Sequence, residues 1–146
     1  MSFTHLWISE DGKSHLKDCT VEGLEKKGAK YQRDVSSLLE VKNFILTQMI
    51  GETPWHPSPK VQMVIPLEGR WYVNTTDGDH REMGPGHLFF QQDNAGNIVD
   101  AKHWSGTVGG PCNMVVLQFD VPSKVGDDSC DWVAKAHALH RSFHDL

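Results

Sequence analysis

Two histidines stand where an imidazole could do chemistry. His56 lies between Trp55 and Pro57, with Pro59 close behind. Flanking prolines restrict the backbone, so His56 reads as a pre-organised group. An imidazole titrates near neutrality, which suits a general acid or base, and it also ligates divalent metals. His103 is the second candidate. Near these, Trp71 and Trp104 read either as plain core or as aromatic walls for a planar ligand. Asp93-Asn94-Ala95-Gly96 reads as a turn, and His80 and His87 flank the Gly84-Pro85-Gly86 turn. In the tail, His137, His140 and His144 are spaced by three and four, which places them on one helical face. Such a stripe is solvated and weakly pH-responsive, or a loose site for a soft metal ion.

These groups need elements to position them. Residues 41–49 are rich in β-branched and aromatic types and end at Gly51 and Pro54, which predicts a strand. Residues 62–67 form another, which Glu68-Gly69 bends into 70–74. Asp77-Gly78 is a strong hairpin signal, because a tight primed turn needs positive φ. Its returning partner is 80–83. Further strands are expected at 86–92 and 100–108, and Gly109-Gly110-Pro111 breaks the chain before an apolar last strand at 113–121. Many short strands at this spacing argue for an antiparallel sandwich or barrel. Before Leu39 the pattern is weak and reads as an arm over the barrel, with a short helix at 21–27. In the tail, Trp132, Ala136, Leu139 and Phe143 recur at helical spacing, predicting a short C-terminal helix over 131–144.

Composition bounds the class. The 146 residues suit one domain, 1–146, and carry a formal charge of -5, which leaves no basic footprint for nucleic acid. No apolar run approaches the roughly 18 residues that span a bilayer. Met1-Ser2-Phe3-Thr4-His5 lacks a basic head and apolar core, so no secretory signal is expected. Cys19, Cys112 and Cys130 form no paired motif. They read as buried thiols in a reducing, cytoplasmic compartment.

The turn framework over residues 41–121 resembles the cupin superfamily, in particular its small single-domain members. The cupin pattern places two histidines and a glutamate before a Gly turn, then runs from a Gly-Asp strand start to a third histidine. Gly69 matches the closing glycine of the first motif. Counting back puts Gln62 on the glutamate position, Ser58 on the second histidine and His56 on the first. Gly86 matches the opening glycine of the second motif, with His87 in place of its aspartate. The third histidine would fall near Asn97-Ile98-Val99.

The resemblance implies an all-β fold, a cupin-type antiparallel β-barrel (jelly roll), and dimers formed by edge strands. It also implies that Gln62 points inward with Val64 and Pro66. Of the family's donors only His56 remains a good ligand, and the anionic one has become a neutral amide. His103, four residues past Val99, shares its parity and could form a displaced site with His56 and His87. An acidic residue recurs at the Asp93 position in similar small cupins, which makes Asp93 a candidate partner of His56.

The expectation is a small-molecule enzyme without a tightly bound metal, catalysing isomerisation, cyclisation or elimination on an apolar or aromatic metabolite. His56 is the expected acid or base, with His103 second. Gln62 would orient a substrate oxygen, and Trp71, Phe90 and Trp104 would enclose the apolar body. Two alternatives stay open. One is a metal-dependent dioxygenase or related oxidoreductase with Fe, Mn, Ni or Zn on His56 and His103. The other is a non-catalytic module that holds a pigment, sugar or metabolite.

Overall fold

The computed structural model describes residues 1–36, 39–94 and 97–131. The predicted C-terminal helix, apart from Asp131, and the stripe of His137, His140 and His144 lie outside the described residues. Ten strands run in chain order: β1 (Ser2–Ile8), β2 (Ser14–Thr20), β3 (Glu25–Lys27), β4 (Lys30–Gln32), β5 (Val41–Met49), β6 (Glu52–His56), β7 (Val61–Thr75), β8 (His80–Met83), β9 (Leu88–Gln91) and β10 (His103–Phe119). Eight of them form one sheet in the order β2-β1-β9-β7-β10-β5, with β6 on β10 and β8 on β7. The pairings are antiparallel except β1 with β9, which is parallel. The all-β architecture agrees with the sequence reading, with that parallel pair as the departure.

The N-terminal segment is not an arm. β1 pairs with both β2 and β9, and Phe3, Thr4, His5, Leu6 and Ile8 are all buried. A strand buried on both faces loses the polar/apolar alternation that marks a half-exposed one. Thr4 and His5 further disguised it by interrupting the apolar run. The expected helix at 21–27 is also overturned, since β3 and β4 form an exposed hairpin around Gly28, whose φ is 64°.

Two apolar clusters occupy opposite parities of the central strands. Val64, Trp71, Val73, Met83, Phe89, Met114 and Val116 belong to one, with Leu6 of β1. Phe3, Val61, Met63, Phe90 and Phe119 belong to the other. Cys19 and Cys130 sit in and beside the second cluster and form a disulfide, so the reading of all three cysteines as unpaired thiols is corrected. The separation of 111 residues between them hid the pair, because nothing local links the two. Cys112 is free and buried. Among the described residues no helix is long and apolar enough to cross a membrane.

The two longest strands each carry a bend, and the bends face each other. β7 turns at Gly69 (φ 84°) and β10 at Gly109 (φ 78°), where the register shifts between Val108 and Asn113. The expected chain break at 109–111 is therefore an irregularity inside one continuous strand. Its effect is a change of parity, as extra residues at a bulge rotate the side chains beyond it. Gln62 and Val64 face the same interior as Trp71, and His103 and Ser105 the same interior as Met114, Val116 and Gln118. A Cβ on Gly69 would lie 2.3 Å from the Pro111 carbonyl oxygen, so the crossing demands glycine in both space and φ.

Candidate functional site

The interior on this side contains a cavity of about 280 Å³. Ile45, Met49, Val64, Trp71, Met114 and Val116 supply its apolar wall. His56, Ser58, Gln62, Gln91, His103 and Gln118 supply the polar one. His56, Gln62 and His103 thus converge on one hollow although they come from β6, β7 and β10. Strand pairing explains the meeting. His103 is in register with His56 on one side and with Thr75 of β7 on the other.

The polar wall is a connected chain of hydrogen bonds. Asn43 Nδ2 donates to Gln118 Oε1 (3.2 Å), and Gln118 Nε2 donates to Gln62 Oε1 (2.9 Å). Gln62 Nε2 donates to Gln91 Oε1 (2.5 Å), which also faces the Ser58 hydroxyl at 3.1 Å. That hydroxyl hydrogen is shared with the Asp93 carboxylate, and the Ser58 backbone N–H donates to Asp93 Oδ1 at 3.3 Å. The other carboxylate oxygen accepts from Nδ1–H of His103. Asp93 is 0% exposed and His103 3%, so this pair is fully withdrawn from water. A buried carboxylate is tolerable only when its lone pairs are filled, and three donors fill them here.

Fixing the His103 proton on Nδ1 leaves Nε2 as the basic nitrogen. His56 is held in the same sense, since its Nδ1 donates to the Pro54 carbonyl at 2.7 Å. The two rings lie 4.3 Å apart, centroid to centroid, at 57°. Burial lowers the His56 pKa below its usual value, and a proton on the neighbouring His103 lowers it further, while the Pro54 carbonyl and Asp93 oppose both. His56 is therefore a neutral acceptor near neutral pH, and it is only half-buried, at the mouth. The arrangement offers two imidazoles, one braced by a carboxylate, beside an apolar wall and a row of side-chain amides.

Several expected site residues lie elsewhere. Phe90 packs in the second cluster against Phe119 and His5, because the residues that face the cavity side are its neighbours Phe89 and Gln91. Trp104 makes an edge contact with the exposed Trp55, ring centroids 6.0 Å apart, and does not line the cavity. It follows His103 directly, so strand alternation sends the two to opposite faces. Asp93 belongs to the site, but as partner of His103 rather than of His56. Trp71 does line the cavity, at 3% exposure. His87 is bonded to Thr4 Oγ1 at 2.9 Å, away from the site. Val99, where the third family histidine was sought, is exposed, and the histidine that reaches the site is His103. Gln91 and Gln118 went unnoticed. Their signal was an uncharged amide at cavity parity in β9 and in the otherwise apolar stretch 114–119 of β10.

The cupin likeness implies a divalent metal, and the donors present do not fit one. His56 and His103 could each offer Nε2, but the remaining positions hold Gln62 and Ser58, whose polar atoms are committed to the amide chain. Both Asp93 oxygens are taken by His103 and Ser58. Among the described residues no group of three or more His, Cys, Asp or Glu could hold an ion. Hard divalent ions favour anionic oxygen donors, and the set offers none that is free.

No protein-family model matches the chain, and no curated protein matches it. Solved structures similar to it include protein NMB1881 from Neisseria meningitidis, at 17% identity over 56% of this chain and 82% of that one, with a TM-score of 0.42. A cupin-2 domain containing protein from Shewanella frigidimarina NCIMB 400 is similar at 16% identity, covering 56% of this chain and 78% of that one, with a TM-score of 0.39.

Proposed function

We propose that the cavity is the active site of a small-molecule enzyme that moves a proton on an uncharged, largely apolar substrate, as in isomerisation, cyclisation or elimination. The observation that carries this reading is the buried Asp93–His103 pair at the cavity wall, with Nδ1–H of His103 bound to the carboxylate. A carboxylate in that position holds the imidazole in one tautomer and orientation and stabilises the imidazolium formed when Nε2 takes a proton. His56, neutral and nearer the mouth, serves as the second acid or base. Gln62, held at both ends of its amide, positions rather than reacts. The lining includes no Lys or Arg among the described residues, so phosphate or carboxylate substrates would lack a counter-charge.

The test is solvent-deuterium incorporation into uncharged carbonyl and phenolic metabolites, read by mass spectrometry. Wild type should label at least one class, and His103→Gln should slow labelling by roughly a hundredfold or more. Labelling that survives His103→Gln within threefold would remove His103 from the role.

A further inference from the structure

The sheet face turned away from the cavity is apolar beyond the buried core. Strand register lines up Phe44 of β5, Leu117 of β10, Met63 of β7 and Phe90 of β9 in one row. Leu46, Val115 and Ile65 form the next row. Directly paired residues share a face, and these all have the parity opposite to the cavity residues Ile45, Val116 and Val64. The first row is buried at β9 and open at β5, where Phe44 is 67% exposed and its neighbour in the second row, Leu46, is 76% exposed. A contiguous apolar surface of this kind marks a contact site, whereas single exposed apolar residues do not.

Where the described chain ends points to what covers this face. A hollow of about 590 Å³ lies on it, walled by Met63, Ile65, Leu88 and Leu117 together with Arg33 and Val35. Arg33 and Val35 also line a second hollow, of about 250 Å³, whose wall includes Cys130 and Asp131. The disulfide from Cys130 to Cys19 ties this point of the chain to β2, and Arg33 Nη1 donates to Asp131 Oδ1 at 3.0 Å. The chain is thus brought to the edge of the apolar face by a covalent bond and an ion pair, with residues 132–146 still to follow.

We propose that the occupant of this face is the chain's own segment 132–146, laid across β9, β7, β10 and β5 as an amphipathic helix. Trp132, Ala136, Leu139 and Phe143 supply its apolar stripe, at the spacing that puts them on one side of a helix. The lengths agree. Residues 132–143 make a helix of about 18 Å at roughly 1.5 Å each, and four strands about 4.8 Å apart span about 14 Å. The charges agree as well, since Asp34 and Glu40 stand in the wall of the larger hollow and the segment carries Lys135 and Arg141. β5 also walls the cavity through Ile45, Thr47 and Met49, so the docked segment braces that wall from behind.

Hydrogen exchange of the full chain, read by mass spectrometry, is the test. Amides of 134–146 should exchange at least about tenfold more slowly than an unstructured peptide of the same sequence, and equally so at every protein concentration. Phe44→Glu, at the open end of the row, and Leu139→Glu, on the segment, should each abolish that protection while the amides of β7 and β10 keep theirs. Should Phe44→Glu loosen β7 and β10 as well, Leu46→Gln, milder and in the second row, takes its place. Unprotected amides in the wild type would overturn the proposal, as would protection that survives the substitutions on the sheet. Protection lost on dilution, with a dimer in sedimentation at the higher concentration, would assign the face to a second copy and overturn it too.

Discussion

Acidification should destabilise this protein through His5. The side chain is 0% exposed, and burial is the main cause that pulls its pKa from 6.5 down to about 4. The charge of Lys17 acts in the same direction, while the Ser129 backbone and Asp128 oppose it. Gln92 donates its side-chain N–H to His5 Nε2, which leaves the His5 proton on a buried Nδ1 without a partner of good geometry. Between these two pKa values the unfolded chain binds a proton that the folded one refuses. His5 therefore contributes its full stability above about pH 6.5, and that contribution is lost as the pH falls towards 4. A shift of this size corresponds to about 3 kcal/mol at pH 4, using the conversion of one unit to 1.36 kcal/mol. Against a typical domain stability of roughly 5–15 kcal/mol that is a large fraction. The assay is urea unfolding of wild type and His5→Gln from about pH 7 to about pH 4. The glutamine keeps an acceptor for Gln92 and cannot titrate, so the variant should have the flatter profile, and the difference between the two curves isolates His5 from His56 and His87. Parallel curves would refute the reasoning.

Asp93→Asn should lower activity by about a hundredfold or more, since a neutral amide holds His103 less firmly and cannot stabilise its imidazolium; kcat measured against the wild type checks this. Gly69→Ala should lower the melting temperature by several degrees, because its Cβ would meet the Pro111 carbonyl at 2.3 Å and its φ is 84°. Reduction, or Cys19→Ser, should cost about 4–5 kcal/mol by the loop-entropy relation for a separation of 111 residues, seen in unfolding with and without reductant. An unchanged midpoint would mean that the disulfide does not form.

The sequence by itself determined most of the strands from β5 onward and the turns that join them. β5, β7 and β8 were legible because β-branched and aromatic composition and glycine turns are local signals, and Gly69, Gly78 and Gly86 all adopt positive φ. It also marked His56, Gln62 and His103 as the groups worth following, because polar side chains in apolar strands need a reason. Tertiary structure decided the rest. Phe90 and Trp104 were assigned to the pocket by type, but each directly adjoins a cavity residue in its strand, and strand alternation puts neighbours on opposite faces. The paired bends at Gly69 and Gly109 then reset parity in a way no single strand reveals. β1 was unreadable because a strand covered on both faces has no alternation to show. The Asp93–His103 pair, ten residues apart across a loop, and the Cys19–Cys130 bond exist only because pairing of distant strands brings their backbones together.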